Sequence, residues 1–303
     1  MKLRSILILF LCFASYSNAQ SDTVRIKELL TRITKTPKPR NYLNLDQLNK
    51  TANVIKAEFE KYLDSVYFQE YKVNGITYKN VVGIINPRGK STLVIGAHYD
   101  VCGNQEGADD NGSGIVGLLE LARLFDTVST EKRLEFVAYT LEEPPYFRSE
   151  NMGSYVHAKS LADENRIVEG MIVLEMIGYF SDEKKSQDYP LGLLKLFYGG
   201  KGDYITVVNK FGKGKFARHF LHKMKKNEES PEVKSFNAPK SLPGIDFSDH
   251  LNYWKFGFSA SMVTDTAFYR NKNYHMSTDK MELLDLARMA GVIDCVYKSL
   301  LVL

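Results

Sequence analysis

Leu93-Val94-Ile95-Gly96-Ala97-His98-Tyr99-Asp100 is a β-branched apolar run that stops at a histidine, with a carboxylate two residues later. Shortly after comes Gly107-Ala108-Asp109-Asp110-Asn111-Gly112-Ser113-Gly114, two carboxylates in a glycine-rich turn. A short run this apolar is the pattern of a strand buried on both faces, as in sheets covered by helices. An imidazole and carboxylates at the end of such a strand suit a hard or borderline divalent metal.

The same strand-then-helix alternation continues outward from this point. Ile115–Phe125 is apolar at helical spacing, Arg133–Thr140 is a strand, Gly153–Leu161 a helix, and Val168–Met176 an almost wholly apolar strand. Leu194–Tyr198 and Tyr204–Val208 have the pattern of another pair of strands, and Phe216–Met224 that of a helix. Glu228–Pro243 is polar and proline-containing, which predicts an irregular insertion; Phe258–Val263 is a last core strand and Met281–Leu301 a closing helix. Upstream, a helical pattern around Ile26, Leu29, Leu30 and Ile33 ends at Thr36-Pro37-Lys38-Pro39-Arg40. A second amphipathic segment runs from Leu45 to Leu63, and Val66–Val73, Asn74-Gly75 and Ile76–Ile85 spell a hairpin. Together these predict an α/β fold of three layers, α/β/α, with a mixed and mostly parallel central sheet. No repeat, low-complexity tract or linker divides residues 20–303, so one domain is expected.

The chain has 303 residues, enough for a sizeable core, and a formal net charge of +4. No basic stripe with interleaved aromatics occurs, which argues against nucleic acid as a partner. The densest basic stretch, Lys213 to Lys226, also holds Phe216, Phe220, Leu221 and Met224 and reads as the solvated face of an amphipathic helix. Lys2 and Arg4 precede the apolar run Ile6–Phe13, and Ser17-Asn18-Ala19 has the small residues a signal peptidase needs. Residues 1–19 are therefore expected to be a cleaved leader, too short for a permanent span. That predicts a secreted or periplasmic protein starting at Gln20. Loss of Lys2 and Arg4 would lower the charge from +4 to +2. Cys12 follows a bulky Leu11, unlike a lipoprotein site. Cys102 and Cys295 remain, and they are expected to stay separate thiols although an oxidising compartment permits pairing.

Three more points repeat the behaviour of His98. Phe136–Leu141 runs into Glu142-Glu143, Met171–Leu174 runs into Glu175, and Tyr274-His275 stands in a loop before Ser277-Thr278-Asp279. In open α/β sheets, ligands bind outside the carboxyl ends of the strands. Each residue alone has an ordinary explanation. A histidine at a strand end is often hydrogen-bonded structure, a Glu pair a solvated loop, Glu175 half of a buried ion pair. Their recurrence at successive strand ends is what points to a metal site.

In order, His98-Tyr99-Asp100, Gly107–Gly114, Glu142-Glu143 with Met152-Gly153-Ser154, Glu175-Met176-Ile177-Gly178-Tyr179 and Tyr274-His275 resemble the M28 family of zinc peptidases. That family includes secreted bacterial leucyl-type aminopeptidases and, more distantly, glutaminyl cyclases. The likeness covers roughly residues 45–303. It implies two zinc ions and five ligands: His98 and Glu175 on one ion, His275 and Glu143 on the other, and Asp110 bridging, with Asp109 as the alternative bridge. Many members carry Asp where this chain has Glu175, so a longer arm is expected. Glu142 would be the general base that takes a proton from water and returns it to the leaving amine. Two zinc ions about 3.5–4 Å apart lower the pKa of a shared water towards 7. Asp100 would orient the imidazole of His98. Tyr274 would donate to the oxyanion, or else be a packing aromatic.

The implied activity is a secreted di-zinc exopeptidase, foremost an aminopeptidase, with peptide or protein substrates. A one-zinc glutaminyl cyclase and a non-catalytic binding protein on the same fold are the alternatives. His98 together with His275, and Glu rather than Asp at position 175, lean against the cyclase; an intact Glu142 leans against a binding protein. Pro144-Pro145 stiffens the stretch after Glu143, and Tyr146 and Phe147 are candidates to wall a pocket. Arg148 and Arg270 are candidates for a substrate carboxylate, and His250, within Asp246–His250, for a network residue.

Overall fold

The computed structural model describes residues 21–212, 214–227, 231–239 and 241–303. The expected leader and Cys12 lie outside them. Among the described residues no helix is long and apolar enough to cross a membrane.

The elements follow in the order α1 (Thr23–Thr34), α2 (Leu45–Phe59), β1 (Ser65–Val73), β2 (Ile76–Ile85), β3 (Ser91–His98), α3 (Gly114–Phe125), β4 (Arg133–Tyr139), α4 (Gly153–Asp163) and β5 (Ile167–Glu175). Then come α5 (Lys195–Tyr198), β6 (Tyr204–Lys210), α6 (Gly214–Lys225), β7 (Glu232–Ala238), α7 (His250–Lys255), β8 (Ala260–Thr264) and α8 (Leu286–Leu301). The strands make an eight-stranded sheet in the order β1-β2-β4-β3-β5-β8-β6-β7. Its centre, β4-β3-β5-β8, is parallel, whereas β1, β2 and the β8–β6 contact are antiparallel. The β1–β2 hairpin turns through Asn74 and Gly75, both at positive φ, as a two-residue primed turn requires.

Alternation along the central strands assigns the layers. Leu93, Ile95, Ala97, Ile172 and Leu174 face a core built with α1, α2, α3, α6 and α8. Val94, Val137, Met171 and Val173 face the opposite core, built with α4 and α7. This is the expected three-layer α/β/α arrangement. In the basic stretch, α6 buries Phe216, Ala217, Phe220 and Met224 and leaves its cationic residues outside. Cys102 and Cys295 form no disulfide.

Four expectations need correction. Leu194–Tyr198 is not a strand: a 3-10 turn, Gly192–Leu194, leads into the single helical turn α5. Leu193, Leu196 and Phe197 point to solvent, and Tyr198 Oη donates to the Ser235 carbonyl, laying the turn across β7. The insertion expected at Glu228–Pro243 contains β7, a polar edge strand parallel to β6 with one half-buried face. The helix α7 fills a stretch with no assigned structure. The closing helix starts at Leu286, not Met281, because the Asp285 carboxylate accepts from the Arg288 N–H and caps it.

A buried charge cluster ties the first three helices together. Glu58 on α2 is fully buried and receives Arg25, Arg32 and Lys61, while Arg25 also reaches Glu120 on α3. Burial pushes the Glu58 carboxyl up, but the hydrogen bonds from Lys61, Arg25 and Arg32 win and hold it at about 2. Its ordinary value is 4.5, so its contribution is complete above that pH and fades as pH falls towards 2. Glu58→Gln is expected to cost about 2 kcal/mol in urea unfolding at pH 7. The gap from wild type should close between pH 4.5 and 2; a gap that does not change over that range would show that the charge contributes nothing.

Candidate metal centre

The register of the parallel strands sets the site. His98 is the last residue of β3 and lies beside Tyr139 of β4, while Glu175 ends β5 beside Thr264 of β8. The residues that follow leave the sheet together at its carboxyl edge. His98 Nδ1 lies 3.2 Å from the Asp100 carbonyl, which turns Nε2 inward. That nitrogen is 3.4 Å from Asp110 Oδ1, 3.4 Å from Glu175 Oε2 and 3.9 Å from Glu142 Oε2. His275 Nε2 is 3.2 Å from Asp110 Oδ2 and 3.1 Å from Glu143 Oε2. Asp110 therefore stands between the two imidazoles with one oxygen towards each. Asp109 turns away and accepts from the Gly178 N–H at 3.1 Å and the Asn271 amide at 2.8 Å. The Asp110–Asn111 peptide is cis.

A second set of groups fixes the first. The Asp100 carboxylate accepts the backbone N–H of Glu142 and of Glu143, both at 3.2 Å, and its Oδ1 is 3.5 Å from His98 Nδ1. Asp279 does the same for the N–H groups of Asp109 and Asp110, at 3.0 Å each. The Asn111 amide donates to the Leu174 carbonyl and its oxygen accepts from the Met176 N–H, pinning the end of β5. Ser248 Oγ donates to Glu175 Oε2 at 2.6 Å. Arg40 is buried behind the site, with Nε on the Tyr99 carbonyl and its terminal nitrogens on the Glu106 and Gly107 carbonyls. Gly107 sits at φ +59, and a Cβ there would meet the Asp110 carbonyl and Val101 at 2.3 Å, so no other residue fits.

Other expected residues go elsewhere. His250 donates to or accepts from nothing in the cluster: its Nε2 meets the Ile245 carbonyl, its ring stands edge-on to Trp254, and burial holds it down at about 4. Arg148 pairs with Asp246 between the Phe147 and Phe247 rings. Arg270 is buried, with Nε on the Gln187 amide oxygen. Tyr146 turns inward against Tyr42 and Tyr78 rather than walling a pocket. Tyr274 stacks on the His275 ring with centroids 3.8 Å apart. Sequence reasoning did not single out Arg40, Asn111 or Ser248, since a buried arginine behind a Pro-rich break and small polar residues in loops carry no distinctive pattern.

The electrostatics match a site built for cations. Burial pushes the carboxyls of Glu142, Glu143 and Glu175 up, Glu143 to about 8, with neighbouring carboxylates adding and the imidazoles opposing. Burial would lower His275, yet Asp110 and Glu143 hold it at about 10; Glu175 and Glu142 likewise raise His98 against its burial. For Asp110 burial also acts upward, but His275 and His98 bring it well below the carboxylate range. Asp110 Oδ2 and His275 Nε2 are buried atoms without a hydrogen-bond partner. Such atoms carry a large penalty unless an ion or water meets them. Two imidazoles and four carboxylates with orphaned atoms facing inward fit divalent metal. Among the described residues, three donor groups cluster tightly: His98, Asp110 and Glu175; His98, Glu142 and Glu143; and Cys102, Glu143 and His275. Burial and the carboxylates of Glu143, Asp110 and Asp100 push the Cys102 thiol up to about 11. Beside Glu175 opens an apolar cleft of about 680 Å³, mouth included, walled by Tyr189, Tyr204, Phe236, Phe247 and Phe268.

Comparisons with known proteins converge on one family. The chain is 40% identical to the uncharacterised protein YfbL of Escherichia coli, over 97% of this chain and 94% of that one. It is 26% identical to a probable leucine aminopeptidase of Arthroderma otae, over 88% of this chain and 71% of that one. Its fold is similar to that of the Legionella pneumophila LapA aminopeptidase, with a TM-score of 0.72 at 22% identity, covering 93% and 72% of the two chains. It is also similar to that of a Tannerella forsythia glutaminyl cyclase, with a TM-score of 0.65 at 19% identity, covering 92% and 97%. The model of Peptidase family M28 matches residues 80–299. The chain belongs to peptidase family M28.

Proposed function

We propose that this peptidase is an exported aminopeptidase working with two zinc ions. One observation carries the reading: the two oxygens of Asp110 face two different imidazoles, His98 and His275. His98 and Glu175 would hold one ion, His275 and Glu143 the other, and Asp110 both. When bound, the ions would supply Lewis acidity to the scissile carbonyl and lower the pKa of a water. The chain's own groups do the rest. Glu142 is next to Glu143 in sequence, but its carboxylate stands farther from His98 Nε2, at 3.9 Å, than those of Asp110 and Glu175, at 3.4 Å, which suits a base that is no ligand. It takes the proton of the attacking water and delivers it to the leaving amine. Asp100 holds both glutamates in place through their N–H groups. Tyr274, whose ring stacks on His275, would donate to the oxyanion. The carboxylates around the centre suit a free N-terminal ammonium. The apolar cleft beside Glu175 suits a large apolar first side chain.

Glu142→Gln is expected to lower turnover by roughly 10²–10⁴ while metal analysis still finds two zinc ions per chain. Near-normal turnover would sink the base assignment, and one stable zinc would sink the two-metal reading. Amino-acid anilides with free amines and large apolar side chains should be cleaved much faster than small or charged ones, and N-blocked peptides hardly at all. Cleavage of the blocked peptides alone, or release of pyroglutamate from N-terminal glutamine, would replace the aminopeptidase reading. Protein recovered from outside the cytoplasm should begin at Gln20 on N-terminal sequencing; a start at Met1 would remove the leader.

A further inference from the structure

We infer that Cys102 is a further protein ligand in the half of the centre held by His275 and Glu143, so that the two metal positions differ in chemistry. This rests on the two-metal reading above. The loop that carries Cys102 leaves the end of β3 and is fastened twice. The Val101 N–H donates to the Arg40 carbonyl at 3.1 Å, and the Cys102 N–H donates to Glu143 Oε1 at 3.1 Å. The other oxygen of that carboxylate faces His275 Nε2 at 3.1 Å. Sγ of Cys102, a Glu143 oxygen and a His275 ring nitrogen lie within 4.8 Å of one another. Bonds of about 2.0–2.3 Å to one tetrahedral ion leave its ligand atoms about 3.5 Å apart, which a modest turn of the short Cys side chain supplies.

A second, independent feature points to the same place. Asp110 is 2% exposed, and its Oδ2 has no hydrogen-bond partner although it faces His275 Nε2, itself without one. His275 thus has Asp110 Oδ2 and Glu143 Oε2 within 3.2 Å of its Nε2 and Cys102 Sγ within 4.8 Å of a ring nitrogen, whereas the side of His98, Asp110 and Glu175 offers nitrogen and oxygen alone. Thiolate is a soft ligand that selects zinc or cadmium over magnesium or manganese. Binding forms one sulfur–metal bond and releases the thiol proton to solvent, with no change of oxidation state. Cys295 supplies an internal control: it is fully buried on α8, against Met224, away from the centre.

The test uses the full chain loaded with cobalt(II). Wild type should show a thiolate-to-cobalt charge-transfer band in the near ultraviolet together with visible ligand-field absorption. Cys102→Ser and Cys102→Ala should both lose the charge-transfer band, keep the ligand-field bands, and release one metal equivalent to a chelator roughly 10–100-fold more readily. Cadmium should in turn protect Cys102, but not change Cys295, against alkylation. Ligand-field bands without a charge-transfer band in wild type, or a charge-transfer band that survives Cys102→Ser, would overturn the assignment and leave the two-metal reading standing. Absence of any bound cobalt would overturn both.

Discussion

Carboxylates crowded into a buried pocket repel one another, and the site depends on how the backbone restrains them. The restraint comes from peptide N–H groups. Asp100 takes those of Glu142 and Glu143, Asp279 takes those of Asp109 and Asp110, and Glu143 takes that of Cys102. Hydrogen bonds from N–H groups favour the charged carboxylate. They also join the end of β3 to the end of β4, and the loop before α3 to the loop after β8. The acids thus act in two ranks: one rank faces the imidazoles, and the other holds the chain that carries the first.

The two halves of the centre differ in how they are mounted. His98 and Glu175 are strand residues whose positions follow from the sheet register. His275 sits in a loop at positive φ, with its side chain 26% exposed against 1% for His98. The His275 side of the cluster is therefore the more open to solvent. Rigid strand ends set the geometry, and the loops around them set access, a division common to α/β folds.

What the sequence made legible follows from burial. β3, β5 and β8 are covered on both faces, so their apolar runs stand out, and the ionisable residues that end them stand out for the same reason. β7 is a half-buried edge whose polar residues hide its period, and α5 is too short for helical spacing to show against Leu193-Leu194-Lys195-Leu196-Phe197. Asp109 and Asp110 share residue type, burial and loop. They differ only in direction, which adjacent identical letters cannot express. Arg40 and Ser248 act through single contacts with atoms remote in sequence, so no local pattern marks them.

Arg40 changes where the working unit begins. The stretch that matches the family starts at residue 80, forty residues after this arginine. Yet its guanidinium spans the Tyr99, Glu106 and Gly107 carbonyls, the segment between β3 and the double aspartate. The segment joining α1 to α2 is thus a keystone inserted from behind. A shortened chain that kept every proposed ligand and began at the family boundary would leave three carbonyls of the segment between β3 and the double aspartate without this partner. The heritable unit of this peptidase is longer than its recognisable motif, and swaps between relatives would have to carry the first helices along with the loop they brace.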